Sequence, residues 1–264
     1  MQSDVVRVPG AELWVELTGK GPPVVLIHGF TLDARMWGGV VAALSPEHSV
    51  LSYDVRGFGR SSMPAEPYAH RDDLRALLDA KRLDRVHVVG HSVGAHQALE
   101  FALSYPERVE SLALLDLSAL GGFAFPPDIA AAFGAIDKAA KAQGVDAAKA
   151  IWRDVSWFAP ARERPDVAAA LDAMLASYSG WHWLNKNPAL PLDPPAVTRL
   201  REVRARTLVV VGERSLPYNH EIAERLTSEI PNATKVVLAR VGHMMPMEEP
   251  DAVSAALLRF FAAG

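Results

Sequence analysis

The chain contains no cysteine among its 264 residues, which excludes disulfide bonds and thiolate metal sites. It also lacks any apolar run approaching the roughly 18 residues that would cross a bilayer. Residues 1–7 carry no apolar signal region. We therefore expect a cytoplasmic protein that has no membrane partner.

An excess of charge of one sign is absent as well. The sequence has 27 Lys and Arg against 31 Asp and Glu, a formal net charge of −4. Nucleic acids and anionic membranes attract proteins with a basic excess, so we expect neither as a partner. Half of the residues are hydrophobic, and the length suits one large α/β domain or one domain carrying an insertion.

Short apolar runs recur along the chain and predict strands of a parallel sheet. Such strands are buried on both faces and show no apolar–polar alternation. The predicted strands cover residues 5–8, 13–17, 24–27, 50–53, 86–89, 112–115, 208–211 and 235–238. Predicted helices lie between them, at 34–44, 71–80, 95–104, 221–230 and 250–261. This alternation predicts the α/β class, with a mostly parallel, eight-stranded sheet and helices on both faces.

The alternation is interrupted between residues 118 and 195. Helices are predicted there at 128–141, 145–153 and 165–177. Four of the six tryptophans fall in this segment, namely Trp152, Trp157, Trp181 and Trp183. We interpret residues 118–195 as a helical cap, inserted after the sixth strand into a core domain made of 1–117 and 196–264.

A strand-to-helix turn with the pattern Gly-x-Ser-x-Gly occupies residues 90–94. An apolar run ends at Gly90, and an Ala- and Leu-rich helical segment follows Gly94. The two glycines let neighbouring backbone approach the turn, and the helix N-terminus favours negative charge beside the hydroxyl. The pattern in this setting predicts that Ser92 is a nucleophile.

Three more motifs accompany this turn in the same chain order as in one known family. His28-Gly29-Phe30 follows the third strand, residues 54–61 read Asp-Val-Arg-Gly-Phe-Gly-Arg-Ser, and residues 241–244 read Val-Gly-His-Met. With these motifs the chain resembles the α/β-hydrolase fold superfamily, in particular its capped serine esterases and lactonases. The resemblance covers nearly everything outside the cap. It implies a small-molecule substrate with an apolar acyl or ring group, and it implies no cofactor and no metal.

His243 is the expected general base for Ser92. It follows a predicted strand in a Gly-His turn at the carboxyl edge of the sheet, where such sheets bind their ligands. The resemblance nominates the backbone N–H groups of Phe30 and Val93 as donors of an oxyanion hole. His91 is expected to be a packed, hydrogen-bonded histidine.

The third member of the triad is where the sequence departs from the family. Relatives commonly carry Gly-Glu-x-Asp after the seventh strand, whereas residues 212–215 read Gly-Glu-Arg-Ser. Ser215 cannot supply the charge that stabilises an imidazolium. In one explanation Asp116, at the end of the sixth strand, takes the role; in another, Glu213 reaches the histidine. In the third there is no acid, as in a slow hydrolase, a different catalyst, a binding protein or an engineered variant. We favour Asp116.

These residues predict a serine hydrolase that cleaves a carboxylic ester, a lactone or a related carbonyl compound through an acyl-enzyme on Ser92. The alternative is a non-hydrolytic catalyst of the same fold, a lyase, a cyclase or a C–C bond cleaving enzyme, with His243 as base. Ser215 and the aromatic cap motivate that alternative. Arg153 and Lys186 could bind a substrate carboxylate, although charges on a cap are usually solvated.

Overall fold

A computed structural model describes residues 2–263 and contains an eight-stranded sheet. The strands are β1 (Gln2–Val8), β2 (Ala11–Thr18), β3 (Pro23–Ile27), β4 (Ser49–Tyr53), β5 (Val86–His91), β6 (Val109–Leu115), β7 (Arg206–Gly212) and β8 (Ala233–Leu238). Their order in the sheet is β1-β2-β4-β3-β5-β6-β7-β8. Strand β2 runs antiparallel to both of its neighbours, and the remaining pairs are parallel.

Helices cover both faces of this sheet, which confirms the predicted fold class. They are α1 (Gly38–Leu44), α2 (His70–Ala80), α3 (Val93–Ser104), α4 (Pro127–Gln143), α5 (Val145–Arg153), α6 (Ala159–Arg162), α7 (Pro165–Ser177), α8 (Trp181–Leu184), α9 (Pro217–Glu229), α10 (Met245–Glu248) and α11 (Pro250–Ala262). Helix α1 packs against α11, and α2 packs against α3.

Strand β5 is the best-buried strand at the centre of the sheet, where it pairs with β3 and β6. Every residue of it is buried, as the near-continuous apolar run requires for a strand covered on both faces. The parallel hydrogen-bond ladder continues one residue past the ends of β5 and β6. The Ser92 amide donates to the Leu115 carbonyl (2.9 Å), and the Asp116 amide donates to that of Val210 (2.8 Å). These bonds hold Ser92 and Asp116 side by side at the carboxyl edge.

The two ends of the sheet differ from the strand pattern that the sequence predicts. Strand β1 begins three residues earlier than predicted, because its antiparallel pairing with β2 includes the exposed residues Gln2, Ser3 and Asp4. Strand β8 is mostly half-buried, and Val237 has a relative exposure of 49%. Both are edge strands, where hydrogen bonding to one neighbour does not require burial of both faces.

Residues 118–195 leave the sheet after β6 and fold into helices α4 to α8. Side chains of this segment contact the loops at the carboxyl edge of the sheet. Trp152 Nε1 donates to Thr31 Oγ1 (2.8 Å), and the His182 ring stacks on Phe58 with 4.4 Å between centroids. The helical segment therefore lies over the sheet edge that carries Ser92.

Candidate active site

Ser92 occupies the sharp turn between β5 and α3, with φ 56° and ψ −120°. A positive φ is strained for a residue that has a side chain, and such strain is typical of functional sites. The turn requires both of its glycines. A Cβ at Gly90 would lie 2.2 Å from the Gly94 carbonyl oxygen, and a Cβ at Gly94 would lie 2.3 Å from that of Ile27. The local backbone thus has the steric form that the sequence pattern predicts.

A chain of hydrogen bonds links Ser92, His243 and Asp116. His243 Nε2 lies 3.1 Å from Ser92 Oγ, and His243 Nδ1 lies 2.5 Å from Asp116 Oδ2. All three side chains are buried. With Nδ1–H donated to the carboxylate, Nε2 is left as the acceptor for the serine proton. This is the arrangement in which an imidazole can act as a general base.

Asp116 reaches the histidine because it follows β6 directly, in the strand position next to β5. Its φ of 46° is one of the positive values in the chain outside glycine, so the backbone turns sharply at this residue. Its carboxylate is fully buried. Oδ1 accepts no hydrogen bond from the described residues, so the bond to His243 is the one that orients this carboxylate.

The two other positions considered for the acid have different contacts. Ser215 Oγ accepts a hydrogen bond from the Gly212 amide at 3.2 Å. Glu213 is exposed, and its carboxylate accepts from the Arg240 amide at 2.7 Å. Ser215 therefore stabilises its own loop, Glu213 connects that loop to the one after β8, and the imidazole is paired with Asp116.

The loop that carries His243 is fixed by a glutamate that the sequence reasoning did not identify. Glu248 accepts hydrogen bonds from the amides on either side of the histidine, Gly242 at 2.7 Å and Met244 at 2.9 Å. Burial raises the pKa of Glu248, and the two amides oppose that shift. No motif marks this residue; its signal is an acidic side chain placed shortly after the Gly-His turn.

His91 contacts the same loop from the other side. Its Nε2 donates to the His243 carbonyl at 2.7 Å, and its ring is completely buried. Burial lowers the pKa of His91 well below its usual range, so the ring is neutral. This is the packed, hydrogen-bonded position expected from the sequence.

His28 and the 54–61 motif shape the loops beneath the site. The His28 Nε2 accepts from the Val55 amide (2.9 Å), so its Nδ1 carries the proton and donates to the Gly29 carbonyl (2.8 Å). Burial lowers the pKa of His28. Arg56 forms two hydrogen bonds with Asp73, at 2.9 and 2.6 Å. These buried contacts fix the backbone that leads to Phe30.

The Gly29–Phe30 segment passes directly beside the nucleophile. A Cβ at Gly29 would lie 3.2 Å from Ser92 Cβ, so this loop comes closer to the nucleophile than a residue with a side chain readily allows. Among residues 2–263, no acceptor is hydrogen-bonded to the amides of Phe30 or Val93. Val93 is the first residue of α3, where backbone N–H groups lack intrahelical partners. Two free amides are thus available beside Ser92 Oγ.

A cavity of about 220 Å³ opens above Ser92 and is walled by aromatic side chains. Within the described chain, the residues that line it include no Asp, Glu, Lys or Arg. Five aromatic residues among them come from the helical segment: Phe125, Phe133, Trp152, Trp157 and Phe158. The site can therefore hold an apolar group against the serine, in surroundings of low polarity.

The four tryptophans of the helical segment have different contacts. Trp157 stacks on the His243 ring, with 5.4 Å between centroids and 23° between planes, and donates Nε1 to Asn219 Oδ1. Trp152 also lines the cavity. Trp183 packs edge-on against Tyr178, outside the cavity. Two of the four tryptophans thus line the cavity, and the composition of the segment could not show which two.

The cationic side chains considered for a substrate carboxylate lie elsewhere. Arg153 forms two hydrogen bonds with Asp172, at 2.6 and 2.7 Å, and both side chains are about 40% exposed. Lys186 is exposed and does not line the cavity. Residues 2–263 contain no group of three or more His, Asp or Glu placed to hold a metal ion. Nor does any helix in that range have the length and apolarity to span a membrane.

Comparisons with known proteins place this chain in one family. The sequence model described as the alpha/beta hydrolase family matches residues 24–256. The chain therefore belongs to the alpha/beta hydrolase family, which confirms the resemblance carried by its motifs.

Individual relatives are similar along nearly the whole chain. A thermophilic esterase from Thermogutta terrifontis is 27% identical with a TM-score of 0.84, over 100% of this chain and 99% of its own. The enol-lactonase from Burkholderia xenovorans LB400 is 25% identical with a TM-score of 0.84, over 98% and 100%. A 2-hydroxy-6-oxo-6-phenylhexa-2,4-dienoate hydrolase from Burkholderia cepacia is 27% identical over 268 residues, 93% of this chain and 90% of that protein.

Proposed function

We propose that this protein is a serine hydrolase that cleaves a carboxylic ester or lactone with an apolar acyl or ring group. The observation that carries the proposal is the buried hydrogen-bond chain Asp116–His243–Ser92, with distances of 2.5 and 3.1 Å, at the floor of an aromatic cavity. Serine is a weak nucleophile at neutral pH unless a base within hydrogen-bond reach accepts its proton.

In the acylation step, Ser92 Oγ attacks the carbonyl carbon while its proton passes to His243 Nε2. The carboxylate of Asp116 stabilises the imidazolium that forms. The Phe30 and Val93 amides donate to the developing oxyanion. His243 then gives its proton to the leaving alcohol, and the acyl group stays on Ser92 as an ester.

In the deacylation step, a water molecule gives a proton to His243 and attacks the acyl carbon. The bond from that carbon to Ser92 Oγ breaks, and the proton returns to the serine. Residues 118–195 act as a cap in this scheme. Their aromatic side chains exclude bulk water and hold the apolar part of the substrate, and Trp157 keeps the imidazole in place by stacking on it.

The charge of the cavity favours esters and lactones over the C–C cleavage alternative. The substrate in the name of the Burkholderia cepacia relative, a dienoate, carries a carboxylate. The described lining of this cavity contains no cation, and Arg153 is paired with Asp172 outside it. Burying an unpaired carboxylate in apolar surroundings is strongly unfavourable. We therefore expect neutral substrates, and the esterase and lactonase relatives support that class of reaction.

A fluorophosphonate probe tests the proposal. We expect rapid, stoichiometric labelling of the wild type, loss of labelling in Ser92→Ala, and hydrolysis of p-nitrophenyl butyrate by the wild type alone. Rapid labelling with no hydrolysis across a panel of neutral esters and lactones would favour a non-hydrolytic catalyst. Absence of labelling of the wild type would contradict an activated serine and would favour a protein that only binds its ligand.

A further inference from the structure

Ser118 is a buried hydroxyl of the active site that the mechanism above does not use. It lies two residues beyond Asp116, on the segment that leaves β6, and its side chain lines the cavity. Its Oγ lies 2.8 Å from Ser92 Oγ, closer than the 3.1 Å that separates Ser92 Oγ from His243 Nε2. The residue is 2% exposed.

The direction of this hydrogen bond follows from counting protons. His243 gives its Nδ1–H to Asp116, so its Nε2 is an acceptor. Ser92 has one hydroxyl proton, which it donates to that nitrogen in the reactive arrangement. Ser92 Oγ then has only acceptor capacity left. The proton between the two serines therefore belongs to Ser118, which donates to Ser92 Oγ.

The backbone around Ser118 is held by the first turn of α9. The Tyr218 hydroxyl donates to the Ser118 carbonyl at 2.7 Å. The Asn219 side-chain amide lies 3.5 Å from the carbonyl oxygens of Asp116 and Leu117. Both Tyr218 and Asn219 are buried. The segment after β7 thus supports the β6 loop, and Ser118 Oγ is positioned before substrate arrives.

We infer that Ser118 is a further catalytic residue, whose hydroxyl donates to Ser92 Oγ and stabilises the negative charge that develops on that oxygen as its proton leaves; the inference rests on the proposed function. In acylation, the Oγ–H bond of Ser92 breaks, its proton moves to His243, and the bond from Oγ to the carbonyl carbon forms. In deacylation, that bond breaks and its electron pair returns to Oγ, which recovers a proton from His243. The O–H bond of Ser118 stays intact throughout.

The test compares Ser118→Thr with Ser118→Val, two side chains of nearly equal shape that differ in the hydroxyl. One hydrogen bond to the reacting oxygen corresponds to about a tenfold change in rate. We expect the valine variant to react with the fluorophosphonate, and to turn over p-nitrophenyl butyrate, about tenfold more slowly than the threonine variant. The two variants should unfold at the same temperature. Labelling measures attack by Ser92 directly, so a purely structural role would not separate them.

Ser215→Ala is the matched control, because it removes a second buried serine hydroxyl that bonds only to its own loop. Its rates should stay within about twofold of the wild type. Equal rates for the threonine and valine variants, or a faster valine variant, would overturn the role of Ser118. Hydrolysis that survives in Ser92→Ala would instead overturn the proposed function itself, so the two failures are distinguishable.

Discussion

Replacement of Asp116 by asparagine removes the charge of the proposed triad acid while keeping the size of the side chain. Asp116 Oδ2 lies 2.5 Å from His243 Nδ1, and the carboxylate is fully buried. An asparagine either leaves the imidazolium without a counter-charge or presents its NH₂ group and forces the wrong tautomer. In a serine protease the corresponding change costs on the order of 10⁴ in kcat. We expect a loss of that order, about 5 kcal/mol in the activation free energy.

The assay is kcat for a p-nitrophenyl ester, measured beside Ser215→Ala, which replaces the residue at the position where relatives carry the acid. Because Ser215 Oγ bonds to the Gly212 amide, we expect that variant to retain activity within about twofold. The fluorophosphonate rate should fall in parallel for Asp116→Asn, and its thermal midpoint should stay close to that of the wild type. Equal and small effects of the two substitutions would refute the assignment of Asp116.

Three further predictions concern the surroundings of this triad. Glu248→Gln should lower kcat at least tenfold. The carboxylate of Glu248 makes two charge-assisted hydrogen bonds, each of about 1.5–3 kcal/mol, that hold the backbone around His243. Unchanged steady-state kinetics would show that this loop is rigid without the two hydrogen bonds. Phe133 lines the cavity and has a relative exposure of 36%. Phe133→Arg adds a cation there, so it should raise kcat/KM for the anionic ester p-nitrophenyl hemisuccinate relative to neutral p-nitrophenyl butyrate by about fivefold. An unchanged ratio would contradict the argument from cavity charge. Burial lowers the pKa of His182 to about 4, below its ordinary value near 6.5. As the pH falls from 6.5 to 4, the unfolded chain therefore takes up a proton at this residue that the folded chain does not, and the free energy of unfolding decreases. His182→Phe should reduce the loss of unfolding free energy between pH 7 and pH 5, measured by urea unfolding at the two pH values. An equal loss in the wild type and the variant would mean that other groups cause it.

The position of the proposed acid, Asp116, differs from the position that the family resemblance implies. The family resemblance implies an aspartate after the seventh strand, whereas here that segment supplies Tyr218 and Asn219, which contact the carbonyl oxygens after β6. Strands β6 and β7 are neighbours in the sheet, so side chains from either can approach the same imidazole. If Asp116 is the acid, the order Ser, acid, His along the chain is the same as with an acid after β7.

The sequence alone determined the parts of the site that depend on local backbone. Gly90 and Gly94 are required at their positions because a Cβ at either would overlap a carbonyl oxygen within 2.3 Å. A pattern of five residues between a strand and a helix therefore predicts Ser92 as the nucleophile, and a Gly-His turn after a strand predicts His243 as its base; the fold places the two side chains 3.1 Å apart. The apolar runs likewise predict eight strands of a mostly parallel sheet, although β6 and β7 as well as the edge strands extend beyond those runs.

Tertiary structure decided everything that depends on distance between strands. Asp116, Glu213 and Ser215 are the three positions that the sequence analysis considers. The adjacency of β5 and β6 places Asp116 beside Ser92, and the loop after β8 brings His243 against both. Ser118 follows no motif, because a lone serine carries no pattern until another hydroxyl is placed 2.8 Å away. Local sterics can be read from neighbouring residues in the chain, whereas the partner of a buried polar group is set by which strand ends the fold brings together.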